Sequence, residues 1–334
     1  MEKNLILKVN NLTTSFEIGQ QSVNAVEGVT FDLEKGKTLG IVGESGCGKS
    51  VTALSIMRLL PKPSGKIQQG QILFQDKDIT KLDKDEVRNI RGARISMIFQ
   101  EPMTALNPVQ NIGKQLKEVY DLQFPDMSSS EMIEASIAML EKVGIPAPKH
   151  RLSEYPHQLS GGMRQRVMIA IALACQPEIL IADEPTTALD VTIQAQILDL
   201  MKQLQKEFGT AIIFITHDLG VIAETCDDVV VMYAGKVIER ASVVDIFESP
   251  KHPYTRGLLK SIPTLTTIPK TELFTIQGTV PDLLSFPSGC RFQNRCLYAK
   301  EKCRVEIPVN EPVKDGHSVS CFFWKDINFG DCHI

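Results

Sequence analysis

The sequence has no run of about 18 uncharged apolar residues, the length that a membrane-spanning helix needs. Its longest apolar run, Val167 to Cys175, gives way to Gln176, Pro177 and Glu178. The opening residues, Met1-Glu2-Lys3-Asn4, lead into a short mixed run without the apolar core of a signal peptide. Positive charge is not in excess either. The net charge is −4 over 334 residues, so nothing points to nucleic acid or to an anionic lipid surface. Together these absences predict a cytoplasmic globular protein in which any membrane role runs through partners. The length suits one large domain and a smaller one.

Disulfides are excluded by the same compartment, although there are eight cysteines. Cys47, Cys175 and Cys226 are scattered, whereas Cys290, Cys296, Cys303, Cys321 and Cys332 crowd into the last 45 positions. Such a cluster reads as metal or redox chemistry. The first four are separated by five, six and seventeen residues. That spacing matches neither the ferredoxin patterns nor the short zinc-ribbon pairs. It leaves iron–sulfur and zinc open, beside a core that uses cysteine as a small buried hydrophobe.

What is present is organised around Gly43-Glu44-Ser45-Gly46-Cys47-Gly48-Lys49-Ser50. This fits the phosphate-binding pattern G-x-x-x-x-G-K-[ST]. The glycines let successive backbone N–H groups turn inward as a cradle for phosphate oxygens. Lys49 suits the β- and γ-phosphates, and the Ser50 hydroxyl suits Mg²⁺. Thr38 to Val42 reads as a buried strand before the loop. Val51 to Leu60 reads as the helix after it, ended by Pro61 and Pro63. A helix N-terminus adds its own attraction for anions.

Along the chain, 5–9 and 29–33 read as strands, with Phe16 in a loop between them, placed to stack on an adenine ring. Arg94 to Phe99 reads as a core strand with Gln100 at its end, placed for a metal or water. Residues 101–165 read as a helical subdomain. Ser160 caps the helix that follows, and Gly161 and Gly162 leave its N–H groups approachable by a second anion. Glu178 to Pro185 reads as an apolar strand ending in two carboxylates, Asp183 and Glu184. Asp183 is predicted to support Mg²⁺ and Glu184 to act as general base; alternation along a strand puts them on opposite faces. Ala211 to Thr216 is another strand, ending at His217. Asp227 to Tyr233 and Lys236 to Arg240 are expected to close a mostly parallel α/β sheet. Pro250 and Pro253 mark a boundary, so 1–250 is expected to be one domain and 251–334 a small, loop-rich second one.

In this combination the chain resembles the ATP-binding subunits of ABC transporters. The likeness rests on the loop 43–50, Gln100, the signature Leu159-Ser160-Gly161-Gly162, Asp183-Glu184, the loop Ala188-Leu189-Asp190 and His217, in order over roughly 5–245. The tail pieces are Ser249-Pro250-Lys251-His252-Pro253-Tyr254-Thr255, Gly278-Thr279-Val280-Pro281, Gly289-Cys290-Arg291-Phe292 and Arg295-Cys296. They resemble the oligopeptide/dipeptide/nickel importer subfamily, and within it the D-type ATPase. Met163 and Phe16 depart mildly from it, where many members carry Gln and Tyr.

The resemblance implies a P-loop NTPase fold that binds ATP through Phe16, Gly43, Ser45, Gly46, Cys47, Gly48, Lys49, Ser50 and Val51. It implies Mg²⁺ at Ser50, Gln100 and Asp183, and catalysis by Glu184, His217 and Gln100. It also implies a head-to-tail ATPase dimer in which Ser160, Gly161 and Gly162 complete the partner's ATP site, with Asp190 in the loop before the next helix. The expected partners are a second, non-identical ATPase, two transmembrane permeases docking near Gln100 to Pro108, and an extracytoplasmic binding protein, with no nucleic acid. The expected location is peripheral, on the cytoplasmic face of the membrane. Cys290, Cys296, Cys303 and Cys321 become a [4Fe–4S] candidate, with zinc as runner-up. Peptides lead as substrate, with nickel chelates and glutathione open. A soluble ABC ATPase acting on DNA or ribosomes lacks its coiled-coil insertion here. A small-molecule kinase has no use for Ser160-Gly161-Gly162.

Overall fold

The computed structural model describes residues 4–187, 189–263 and 274–327. Ala188 and Cys332, singled out above, lie outside the described residues. The chain forms two compact units. One holds Glu34–Lys37 and Lys81–Phe214; the other holds Leu5–Leu33, Thr38–Thr80 and the chain from Ile215 onward.

The second unit contains a four-stranded antiparallel sheet in the order Gln21–Glu34, Leu5–Ile18, Gly65–Phe74, Lys77–Asp78. The first two strands run far beyond the expected 5–9 and 29–33, because the apolar alternation continues past an irregularity. Register shifts between Asn10 and Thr14. There Asn11 takes φ 50° and Gly70 takes φ 98°. A Cβ on Gly70 would meet the Asn11 carbonyl oxygen at 2.4 Å, so only glycine fits opposite this bulge. Phe16 is therefore not in a loop. It sits within the strand Leu5–Ile18, paired with Gly65. Its ring lies over that glycine, with Cε1 2.9 Å from where a Cβ would stand.

The same unit holds strands in the order Glu311–Lys314, His317–Val319, Lys236–Ser242, Asp228–Tyr233, Thr38–Val42. The last pair is parallel and the others antiparallel. Thr38–Val42 is buried along its whole length, which explains its unbroken apolar sequence. Lys236–Ser242 does not close the sheet, as it was expected to. The short strand His317–Val319 pairs with it and Glu311–Lys314 lies beyond. Both come from the proline-rich tail, where polar alternation over three or four residues leaves little strand signal. Glu239, wholly buried, anchors the tail. It accepts from the Lys251 and His252 N–H groups at 2.6 and 2.9 Å, and His317 Nε2 lies 2.9 Å away.

In the other unit, Ile95–Ile98 and Ile179–Asp183 pair in parallel. Around them run the helices Ile112–Gln123, Ser129–Lys142, Gly161–Leu173 and Val191–Phe208. Asn111, Ser128, Ser160 and Asp190 cap them by accepting backbone N–H bonds, and Ser128 with Glu131 forms a capping box. Gly161–Leu173 buries residues on every side, including Val167, Ile169 and Leu173, so its longest apolar run is a core helix rather than a membrane segment.

Candidate functional site

Thr38–Val42 delivers the phosphate loop, and the helix Lys49–Ile56 receives it. Gly43 adopts φ 153°, and a Cβ there would stand 2.2 Å from the Met232 carbonyl oxygen. Gly48 adopts φ 101° as the helix N-cap and supplies no side-chain cap. The first N–H groups of this helix are thus left for an outside acceptor, unlike those of the four capped helices above. Lys49 is 6% exposed. Its Nζ donates to the Gly43 and Glu44 carbonyls at 2.8 and 3.1 Å. Among the described residues this buried ammonium has no carboxylate partner, an arrangement suited to an incoming anion. Cys47 is wholly buried beneath the loop, and burial pushes its thiol pKa up even though Lys49 lies beside it. Ser45 and Gly46 face solvent, and nothing lies within 4 Å of a Cβ built on Gly46. Later in the same unit, His217 is exposed just past Ala211–Thr216, and Asp218 caps the helix Leu219–Thr225.

In the other unit the parallel register sets Ile98 against Ala182. Gln100 and Glu184, each two residues further on, therefore emerge at the same strand ends. Gln100 Nε2 donates to Glu184 Oε2 at 2.9 Å, and Thr187 Oγ1 donates to the same oxygen at 2.9 Å. Asp183, 4% exposed, ends the strand. Glu184 is not the next strand residue on the opposite face. It leaves the strand with φ 48°, a left-handed conformation uncommon for a side chain of its kind. The turn, rather than strand alternation, separates the directions of the two carboxylates.

Ser160 Oγ accepts from Met163 N–H at 3.3 Å, while Ser160 and Gly161 stay exposed. Gly162 is the contact point of this helix with Val191–Phe208: a Cβ on it would stand 2.9 Å from Ile193 Cγ2. Asp190 caps that second helix through Ile193 N–H at 3.0 Å. The signature and the Asp190 loop are thus mechanically joined through Ile193.

Residues 26–187 match the family described as ABC transporter. Residues 238–303 match the one described as oligopeptide/dipeptide transporter, C-terminal region. The dipeptide transport ATP-binding protein DppD of Bacillus subtilis is 54% identical over 322 residues, covering 96% of this chain and 95% of that protein. The chain belongs to the ABC transporter ATPase family. The oligopeptide transport ATP-binding protein OppD of the same organism is 52% identical, covering 94% of this chain and 87% of that protein. The dimeric cassette MJ0796 bound to ADP and Pi is similar in structure, with TM-score 0.64 and 28% identity over 71% of this chain and 98% of that one. An ABC ATPase works on ATP with Mg²⁺. The uncapped helix start and the buried Lys49 fit the phosphates of such a nucleotide. Among the described residues no helix is long and apolar enough to cross a membrane.

The expected iron–sulfur or zinc centre is not borne out. Among the described residues no group of three or more His, Cys, Asp or Glu could hold a metal ion. Cys290, Cys296, Cys303 and Cys321 instead line one apolar cavity with His252, Phe292 and Phe323. Burial raises the thiols of Cys290, Cys296 (to about 11) and Cys321 (to about 12), so they stay protonated at neutral pH. They pack as small hydrophobes, the plainest of the three sequence readings.

Thr187, Ile193, Tyr254 and Arg295 were not singled out as site residues. Thr187 lies three positions from Glu184, within reach of an ordinary side-chain turn. Ile193 meets the signature helix, and Tyr254 and Arg295 meet Glu44 of the phosphate loop, through tertiary packing, contacts that no local pattern predicts.

Proposed function

We propose that this chain is the ATP-hydrolysing, energy-coupling subunit of a membrane importer of peptides. The observation that carries the substrate class is the C-terminal match at 238–303, joined to 54% identity with a dipeptide transport ATP-binding protein over nearly the whole chain. Residues 1–250 are the nucleotide-binding domain, with 101–165 as its helical subdomain, and 251–334 are the transporter-type C-terminal domain.

Nucleotide is held by the loop 43–50 and Val51, with Lys49 neutralising phosphate charge and Phe16 offering a ring to the base. Ser50, Gln100 and Asp183 would hold Mg²⁺, whose charge would screen the phosphates. Glu184 accepts a proton from the attacking water or aligns it. Its hydrogen bonds from Gln100 and Thr187 are ones that favour the ionised carboxylate such a base needs. His217 contacts the γ-phosphate. Ser160, Gly161 and Gly162 serve the ATP held by a second ATPase subunit, a reading supported by the exposure of Ser160 and Gly161. Asp190 precedes the helix that meets Gly162. ATP binding closes this dimer and hydrolysis reopens it, moving two membrane permeases that take peptide from an extracytoplasmic binding protein. The chain itself sits peripherally on the cytoplasmic face.

The test is reconstitution. The chain, its permeases and the second ATPase are placed in proteoliposomes with the binding protein, and ATP-driven uptake is measured. Uptake of labelled di- or oligopeptide is expected, and uptake of a nickel chelate or glutathione without peptide would displace the substrate assignment.

A further inference from the structure

The acidic residue inside the phosphate loop is held by the far end of the chain. Glu44 is the single acidic residue of 43–50. Its carboxylate forms a two-point pair with Arg295, Nη1 to Oε2 at 2.5 Å and Nη2 to Oε1 at 2.9 Å. Its N–H donates to Tyr254 Oη at 2.8 Å. Its carbonyl is one of the two that receive Lys49 Nζ. One residue thus links the phosphate-binding lysine to two side chains from beyond residue 250.

The Arg295 side chain is 5% exposed, against 30% for Glu44, so the cation is sunk and the anion lies nearer the loop surface. All five N–H donors of the guanidinium have acceptors. Nε donates to Gln277 O at 3.0 Å, Nη2 also to Ile276 O at 3.1 Å, and Nη1 also to Tyr233 Oη at 3.4 Å. Phe292 packs edge-on against Tyr233 and Tyr254, with centroids 5.2 and 5.4 Å apart, and so fixes the phenol that holds Glu44. A lysine could not reproduce this fork.

We propose that Arg295 and Tyr254 are positioning residues for the nucleotide, clamping Glu44 so that its charge is cancelled and its backbone stays in the phosphate-binding form. The proposal rests on the reading of 43–50 as the ATP site. Polyphosphate brings several negative charges to this loop. An unpaired carboxylate at its second position would repel them and compete for Lys49. The C-terminal region is then part of the nucleotide site.

The test is a double-mutant cycle on ATP affinity in the full-length chain, by isothermal calorimetry, with R295M, E44Q and the double variant. R295M is expected to weaken ATP binding about tenfold alone, but less than about threefold in the E44Q background, because the repulsive charge is then gone. R295K should recover only part of the loss. An equal loss in both backgrounds would show a merely structural tail effect and overturn the clamp, as would no loss in either. Should R295M not fold, Y254F carries the test. It removes the acceptor for Glu44 N–H and is expected to weaken ATP binding about threefold; wild-type affinity in a folded Y254F overturns the proposal. K49A separates the two readings, since wild-type ATP affinity in K49A would refute the loop assignment itself rather than the clamp.

Discussion

Gln100 Nε2 lies 2.9 Å from Glu184 Oε2, so the glutamine that ends one strand holds the carboxylate that follows its parallel neighbour. Replacing the amide by a second carboxylate sets like charges at hydrogen-bond distance, so the two groups share one proton and the second ionisation of the pair is pushed up. In Q100E the base form is therefore reached only at higher pH. The acid limb of the kcat–pH profile in the assembled transporter should move up by about one unit or more, with ATPase partly recovering as pH rises. An unshifted acid limb would separate Gln100 from the base.

For Glu184 itself, E184Q should retain ATP affinity within about threefold while ATPase falls at least about 100-fold, the size expected for loss of a general base. Calorimetry on the chain and phosphate release by the complex check the two halves. ATPase near the wild-type rate would remove Glu184 from that role.

Ser160 caps its helix yet remains exposed. A bulky cation there should leave ATP binding by the isolated chain within about threefold, because Lys49 and the loop are intact. S160R should nevertheless abolish ATPase once two ATPase subunits are assembled. Loss of binding in the isolated chain would mean that the signature acts within one subunit.

Stability should depend on His252. Burial holds its pKa down at about 4, against 6.5 for an ordinary histidine, and its Nδ1 accepts the Tyr254 N–H at 3.0 Å, a bond only the neutral ring can make. The unfolded chain binds this proton first, so its contribution is complete above pH 6.5 and is lost as pH falls toward 4. The expected loss approaches about 3 kcal/mol at the low end. Urea midpoints across that window should fall in the wild type and fall less steeply in H252N, which keeps an acceptor at the cap. Parallel pH profiles would assign the effect to another group.

Ser128 offers a local control. S128A removes one arm of the capping box on Ser129–Lys142 and should cost about 1 kcal/mol. A thermal midpoint lowered by about 2 °C, with ATP affinity unchanged, is the expected result.

The amino-acid sequence by itself determined the contiguous parts. Eight consecutive residues specify the phosphate loop because glycine freedom, a lysine and a serine hydroxyl act within one turn of chain. The buried strands Thr38–Val42 and Ala211–Thr216 were legible with the same limits, because strands covered on both faces are written as unbroken apolar runs. Ser160 declared its helix start because capping is a three-residue affair. Tertiary structure decided what depends on chain segments that meet late. The register of Ile95–Ile98 against Ile179–Asp183 makes Gln100 the partner of Glu184, 84 positions away. The bulge at Asn11 and Gly70 carries the first strand through Phe16. The tail cysteines came to line one apolar, aromatic cavity, with Cys303 buried and Cys290, Cys296 and Cys321 half-buried, because that cavity closes only when distant segments pack. Arg295 reaches Glu44 across 251 positions, and a two-point ion pair between such residues leaves no periodicity for a local reading to detect.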